Sequence, residues 1–126
     1  MNIRKFVKSF GYATEGLLSA MREQNIRFHY ASVIVVVILG LLTGLSVMEW
    51  IVVVLVMALV VGAELFNTAI ERVVDLASPE LHPLAKQAKD IAAGAVLVFA
   101  MASVIIGMLI FFPKWFSIDE KGVVLL

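Results

Sequence analysis

The sequence contains no cysteine, which excludes a disulfide framework, a thiolate metal site and a cysteine nucleophile. It is also poor in charge, because Asp, Glu, Lys and Arg make up only 16% of its 126 residues. Ten basic and ten acidic side chains cancel, so the net charge carries no information about partners. Hydrophobic residues instead make up 62% of the chain, and the mean hydropathy is +1.02. These values exclude a soluble enzyme and indicate a membrane protein.

Three charge-poor stretches account for the excess of hydrophobic residues. They cover residues 31–48, 50–70 and 91–112. Each is close to the ~20 residues that a helix needs to cross ~30 Å of hydrocarbon. The first thirty residues are polar and carry five basic side chains, so the sequence predicts no cleavable signal peptide and a functional N-terminal segment.

The N-terminal segment before the first span has an amphipathic pattern. Apolar residues recur there at steps of mostly three and four, with charged residues between them: Ile3, Phe6, Phe10, Leu17 and Met21. This period predicts a helix within residues 1–29 that lies on the inner membrane surface. A soluble packing helix is the alternative, but so small a chain offers no soluble core for it to cover. The predicted fold class is therefore an all-α membrane protein, with one surface helix and three transmembrane helices in a single domain over residues 1–126.

The distribution of basic residues predicts the orientation in the membrane. Residues 1–30 hold five Lys or Arg side chains against two acidic ones, and residues 72–90 hold three. The first turn, around Met48 and Glu49, has none. Because cytoplasmic loops retain excess Lys and Arg, we place the N-terminus and the second loop inside the cell and the C-terminal tail outside.

The second span contains four polar residues that a passive anchor does not need, here called the polar stripe: Glu64, Asn67, Glu71 and Asp75. At about 100° per residue, the carboxylates of Glu71 and Asp75 each lie within about 20° of Glu64 around the helix axis. With a rise of ~1.5 Å per residue, the stripe extends about 16 Å, from the hydrocarbon to the aqueous boundary. An ionisable side chain in the membrane costs at least ~2.5 kcal/mol, which favours a functional role. The structural alternative is a neutral Glu64 that hydrogen-bonds Asn67 or a neighbouring helix.

The order of these groups suits transfer of a phosphoryl group from ATP to a lipid alcohol. Desolvation makes Glu64 a better proton acceptor than a surface glutamate. Glu71 lies nearer the headgroups, where it and Glu23 offer oxygen ligands for hydrated Mg²⁺. The second loop adds a mixed set of residues able to hold a nucleotide: Glu80, His82, Lys86, Lys89 and Asp90.

Three segments resemble the small bacterial diacylglycerol kinase and undecaprenol kinase family. Residues 64–75 read ELFNTAIERVVD and residues 82–96 read HPLAKQAKDIAAGAV. Glu23, Asn25 and Arg27, with His29, resemble the motif that leads into the family's first span. The resemblance extends from about residue 4 to residue 113 and includes the three-span layout.

The resemblance implies a homotrimer with composite active sites between adjacent protomers on the cytoplasmic side. It implies that Glu64 is the catalytic base for the lipid hydroxyl and that Asn67 supports the site and binds substrate. It also implies ATP as phosphoryl donor, Mg²⁺ as cofactor with Glu23 and Glu71 as its ligands, and no nucleic-acid partner. The residues that match nucleotide-binding positions are Lys5, Tyr12, Glu23, Glu71, Asp75, Glu80, His82, Lys89 and Asp90. We interpret His29 as structural.

Within this family, Asn67 followed by Thr68 favours the Gram-positive-type branch, as do the 82–89 block and the 23–29 motif. We therefore predict undecaprenol as the substrate, with diacylglycerol as the alternative, and a multi-pass protein of the bacterial plasma membrane. A small proton-coupled transporter, the alternative from another class, explains Glu64 but not the charged residues collected at one membrane face. A structural or regulatory membrane subunit leaves all the carboxylates unexplained.

Overall fold

The computed structural model describes residues 1–119 and 122–125 and shows four helices followed by a two-stranded hairpin. The helices are α1 (Ile3–Ala20), α2 (Gln24–Thr43), α3 (Val47–Ala77) and α4 (Pro83–Trp115). The antiparallel strands are β1 (Phe116–Asp119) and β2 (Gly122–Leu125). Helices α2, α3 and α4 are each long and apolar enough to cross a membrane, which confirms the predicted fold class. The hairpin adds a small β element, in a tail to which the sequence assigned no role.

The boundary between the surface helix and the first span differs from the predicted one. Helix α1 ends at Ala20, and α2 already begins at Gln24. Residues 24–29, assigned to the surface helix by the sequence pattern, therefore form the first turns of the spanning helix. Their polar character hid this continuity, because hydropathy alone marks only the apolar part of a helix.

The turn between α2 and α3 also lies earlier than the predicted turn at Met48. Gly44 ends α2 with φ of 79°, a left-handed conformation that glycine adopts without steric cost. Ser46 then caps α3: its hydroxyl accepts a hydrogen bond from the Glu49 backbone N–H at 3.2 Å, and the Glu49 carboxylate accepts one from the Ser46 N–H at 2.8 Å. This reciprocal capping box explains why the helix begins at Val47.

The second loop separates α3 from α4 at residues 78–82. Pro83 occupies the first turn of α4, where its missing N–H costs no hydrogen bond. His82 caps this helix, since its Nδ1 accepts a hydrogen bond from the Leu84 backbone N–H at 3.1 Å. Helix α4 begins well before the predicted 91–112 span and ends slightly after it. Its early start places Lys89 on the helix, beside α3.

The helices pack mainly through α3, which contacts α4 extensively and α2 less. Among residues 1–116, the buried apolar residues are few: Ala20, Ile26, Val53, Val60, Ala92 and Phe111. Only 11% of the most apolar stretch of α2, 22% of that of α3 and 11% of that of α4 is buried within the chain. Most apolar side chains therefore point outward, where lipid or other protomers would cover them.

The two ends of the bundle differ in their polar contacts. At the α1 end, the Tyr30 hydroxyl donates a hydrogen bond to the Leu17 carbonyl at 3.1 Å and fastens α1 to α2. At the hairpin end, the Trp115 indole N–H donates to the Thr43 hydroxyl at 2.9 Å. Lys114 there forms an ion pair of 3.1 Å with Glu49, the capping residue of α3. The polar stripe lies toward the α1 end.

Candidate active site

Glu64 is buried within a single chain, with only 3% of its surface exposed. Asn67 and Thr68, three and four residues later on α3, are buried to a similar degree, at 4% and 5% exposure. Residues at these spacings share one helix face, so the stripe faces the other helices rather than lipid. A carboxylate in such a place needs polar partners to offset the cost of leaving water.

The partners of Glu64 come from α2 and from its own helix. His29 Nε2 lies 3.8 Å from Glu64 Oε2, and the amides of Asn25 and Asn67 also approach the carboxylate. Glu71 lies close enough to repel it. Within the described residues, the recorded ion pairs include no Lys or Arg partner for Glu64.

Asn67 connects the buried part of the stripe to its outer part. Its Nδ2 donates a hydrogen bond to Glu71 Oε1 at 3.2 Å. Because a carboxylate only accepts hydrogen bonds, this contact fixes which end of the amide faces Glu71. The other end, Oδ1, is buried and has no hydrogen-bond partner within the described residues. Buried polar atoms are usually paired, so this oxygen is a candidate acceptor for a bound ligand.

One ion pair lies at the outer end of the stripe, and a second lies along α4. Asp75 on α3 pairs with Lys89 on α4, and both side chains remain partly exposed. Asp90 pairs with Lys86 one turn before it on the same helix. The structure thus brings Asp75 and Lys89 together at the end of the stripe, while Asp90 is engaged along α4.

Glu23 is brought to α3 by Arg72, the residue that follows Glu71. Arg72 Nη1 donates to the Ser19 hydroxyl at 2.9 Å, and Nη2 donates to the Ser19 carbonyl at 3.2 Å and to Glu23 Oε1 at 3.4 Å. Arg72 is therefore directed toward the junction of α1 and α2 and away from Glu64, as the helical spacing predicts. One side chain holds the end of α1 and Glu23 against α3.

The donor set at this end is compatible with Mg²⁺ but does not form a complete cage. Within the described part of the chain, no three His, Cys, Asp or Glu side chains are grouped closely enough to hold a metal ion. Mg²⁺ usually keeps several waters and binds through one or two carboxylates together with substrate phosphates. Glu71 and Glu23, each already oriented by a hydrogen bond, match that mode in ligand type and number.

The remaining residues predicted to bind nucleotide lie apart from the buried carboxylate. Lys5 and Tyr12 are exposed on α1, with 67% of the tyrosine accessible. Glu80 and His82 are exposed in the second loop. The described contacts join none of these four to the polar stripe, so their predicted roles remain predictions.

Sequence reasoning missed the contact between His29 and the buried carboxylate. It treated His29 as structural, and it placed the start of the first span after this residue. The available signal was the four-residue spacing of Asn25 and His29, which puts both on one face of a helix if α2 begins before them. Asn25 and His29 are then polar groups in the first turns of a spanning helix, and both are directed toward Glu64.

An apolar cavity of about 410 Å³ lies between α2, α3 and α4 and extends to His29. Val36, Val53, Val60 and Val104 are among the side chains that line it, and His29 forms part of the same wall. The ring that contacts Glu64 therefore also borders a space suited to hydrocarbon.

Comparison with known proteins identifies the family. Residues 11–111 match the model of the family described as prokaryotic diacylglycerol kinase. The chain is 50% identical to the undecaprenol kinase of Bacillus subtilis over 89% of its own length and 92% of that protein. It is 42% identical to a diacylglycerol kinase of Synechocystis, covering 87% of this chain and 64% of the relative. The diacylglycerol kinase of Escherichia coli is 30% identical, with coverages of 80% and 84%.

The matched region contains α2, α3 and most of α4, and with them the polar stripe, His29, Glu23 and Lys89. The resemblance seen in the sequence motifs is thus confirmed over the part of the chain that builds the site. The chain belongs to the prokaryotic diacylglycerol kinase family and is a bacterial integral-membrane lipid kinase.

Proposed function

We propose that the protein transfers the terminal phosphoryl group of ATP to the hydroxyl of undecaprenol and produces undecaprenyl phosphate. The observation that carries this proposal is the burial of Glu64 on the inward face of α3, beside His29 at the wall of an apolar cavity. A lipid chain in that cavity would bring its terminal hydroxyl to a desolvated carboxylate. Phosphates would then meet the charged groups at the outer end of the stripe.

In the proposed reaction, Glu64 accepts the hydroxyl proton while the hydroxyl oxygen forms a bond to the terminal phosphorus. The bond between that phosphorus and its bridging oxygen breaks, and ADP leaves. Phosphoryl transfer depends mainly on positioning and charge neutralisation, so the chain needs no covalent phosphoenzyme. Asn67 holds Glu71 with its amide nitrogen and offers its unpaired Oδ1 to the bound substrate.

The outer groups bind the nucleotide in this proposal. Lys89, in reach of Asp75, supplies positive charge to the phosphates. Mg²⁺ held by Glu71 and Glu23 would neutralise phosphate charge when bound. We assign weaker supporting contacts with the nucleotide to Lys5, Tyr12, Glu80, His82 and Asp90, on the basis of the family resemblance.

Undecaprenol is proposed over diacylglycerol because of the relatives' identities. The undecaprenol kinase of Bacillus subtilis is 50% identical to this chain, against 42% and 30% for the diacylglycerol kinases of Synechocystis and Escherichia coli. Diacylglycerol remains the second candidate, since those relatives share the family. A proton-coupled transporter gains no support from these relatives.

The assembly and orientation also belong to the proposal. We infer a homotrimer whose sites are shared between protomers, because the family resemblance implies one, and the outward apolar surface of each chain leaves room for such contacts. We place the α1 end in the cytoplasm, where ATP is present and where the basic residues of α1 and the second loop favour it. Native mass spectrometry in detergent should detect three chains per particle.

The substrate test is a side-by-side assay of the purified protein in detergent with radiolabelled ATP and Mg²⁺. Undecaprenol should be phosphorylated faster than diacylglycerol, and omission of Mg²⁺ should remove the activity. Faster phosphorylation of diacylglycerol would overturn the substrate assignment. Absence of product with every lipid alcohol would overturn the kinase proposal as a whole.

The role of Glu64 is tested by Glu64→Gln. A positioned general base contributes about 10²- to 10⁴-fold to the rate, so turnover should fall by that order while the protein still assembles and binds ATP. Glu15→Gln, a change of the same type on the exposed face of α1, serves as the control. Turnover at the normal rate in Glu64→Gln would show that another group takes the proton.

A further inference from the structure

The strongest feature that the proposed reaction leaves unused is the contact of His29 with Glu64. The two side chains come from different helices, and their Nε2 and Oε2 atoms are 3.8 Å apart. Among the ion pairs of the described residues, His29 is the partner of the buried carboxylate, and its ring is able to carry positive charge. Arg72, the nearest arginine along α3, is occupied by Ser19 and Glu23.

The imidazole is mostly buried and has an aromatic neighbour. Its side chain is 15% exposed, against 4% for that of Glu64, so both members of the contact are largely shielded within the chain. The Phe28 ring packs edge-to-face against it with ring centres 5.6 Å apart. Asn25, one turn earlier on α2, approaches the same carboxylate from the same side.

We propose that His29 is a positioning residue for the phosphoryl transfer: its ring N–H faces the Glu64 carboxylate and keeps it directed toward the lipid hydroxyl. This inference rests on the proposed role of Glu64 as base. Because an ionised carboxylate only accepts hydrogen bonds, an N–H beside Glu64 favours the orientations in which one carboxylate oxygen points toward the ring. The donor also restricts the rotamers of a side chain whose neighbour Glu71 would otherwise repel it.

The proposal requires an N–H donor at position 29. His29→Gln keeps an N–H donor near Glu64, whereas His29→Leu keeps the bulk and removes the donor. Misplacement of a reacting group costs on the order of 10- to 100-fold in rate, so we expect His29→Leu to lower kcat by that order. The KM for ATP should stay within about twofold of its normal value, because the nucleotide is held elsewhere, and His29→Gln should recover most of the lost kcat.

The experiment measures kcat and KM for ATP with undecaprenol in the full-length protein, in both variants and in Gln24→Leu. Gln24 is an exposed residue at the start of the same helix. Its replacement by leucine therefore controls for the effect of an added leucine on α2. Size-exclusion profiles and melting temperatures identify any variant that fails to assemble. If His29→Leu does not assemble, comparison of His29→Gln with His29→Ala takes its place.

A second background tests whether His29 acts through Glu64. In Glu64→Asp the shorter carboxylate withdraws from the ring, so adding His29→Leu should lower kcat much less than it does in the parent protein. Equal losses in both backgrounds, or normal kcat in His29→Leu, would overturn the positioning role. Turnover at the normal rate in Glu64→Gln would instead overturn the base assignment, so the two failures are distinguishable.

Discussion

At the scale of single residues, Asn67 joins two carboxylates that would otherwise repel each other. Its amide nitrogen donates to Glu71, its side chain also lies near Glu64, and its oxygen stays unpaired within the described residues. A neutral amide between two acids supplies a donor without adding charge. An aspartate of nearly the same shape would supply a third negative charge and no donor.

We therefore predict that Asn67→Ala lowers kcat/KM by about 10- to 100-fold. A hydrogen bond to a charged group contributes roughly 1.5–3 kcal/mol, which corresponds to this range. Asn67→Asp should lower kcat/KM further, because it adds like charge beside Glu71. Steady-state assays over a Mg²⁺ titration measure both effects.

The matched control is Gln87→Ala, which removes an exposed amide from α4 and should leave kcat/KM unchanged. If Asn67→Asp were as active as the parent protein, the amide nitrogen would have no part in orienting Glu71.

The polar stripe shows how far individual residues were predictable. A spacing of three, four and four fixes one helix face, so the alignment of Glu64, Asn67 and Glu71 follows from the geometry of an α-helix. Their partners do not follow. The His29 contact depends on how α2 packs beside α3, which the period of one helix cannot specify.

At the scale of elements, the turn between α2 and α3 depends on one close contact. Gly40 is buried against Trp50, and a Cβ at this glycine would lie 2.6 Å from Trp50 Cη2 and 3.1 Å from Leu45 Cδ1. The indole ring is rigid, so such a methyl group forces the two helices apart or turns the ring.

We predict that Gly40→Ala destabilises the folded protein by about 1–3 kcal/mol, the usual cost of overpacking a tight contact. Thermal unfolding in detergent, followed by circular dichroism, should show a lower melting temperature. Gly16→Ala on α1 is the control, because nothing lies within 4 Å of the added Cβ and alanine favours a helix. Equal melting temperatures for the two variants would contradict this account of the turn.

The elements were predictable where hydropathy marks them and less so at their ends. Three apolar stretches predicted three spanning helices, and the family motifs placed the site on the second. The extension of α2 to Gln24 was hidden by polar residues, and the start of α3 at Val47 depends on the Ser46 capping box rather than on hydropathy. The hairpin after Trp115 was not predictable, because the apolar composition of the chain indicates only spanning helices.

At the scale of the whole molecule, the two ends of the bundle can be assigned to the two sides of the membrane by experiment. The chain has no cysteine, so a single introduced thiol gives an unambiguous label. Leu81 is fully exposed in the second loop at the α1 end, and Val47 is 78% exposed at the hairpin end.

We predict that a membrane-impermeant maleimide labels Val47→Cys in intact cells and labels Leu81→Cys only after lysis. The expected difference follows from the proposed cytoplasmic placement of the basic segments. The parent protein, which has no thiol, provides the blank. Labelling of Leu81→Cys in intact cells would place the active-site end outside and contradict the use of cytoplasmic ATP.

The Arg72 contacts have a mechanical consequence for this small enzyme. Because Arg72 ties Glu23 to α3, this one helix carries or holds the proposed proton acceptor, both proposed metal ligands and the aspartate that pairs with Lys89. Spanning helices tilt to match the thickness of the bilayer around them. A tilt of α3 would therefore swing these groups together relative to the membrane plane and preserve the spacing among them.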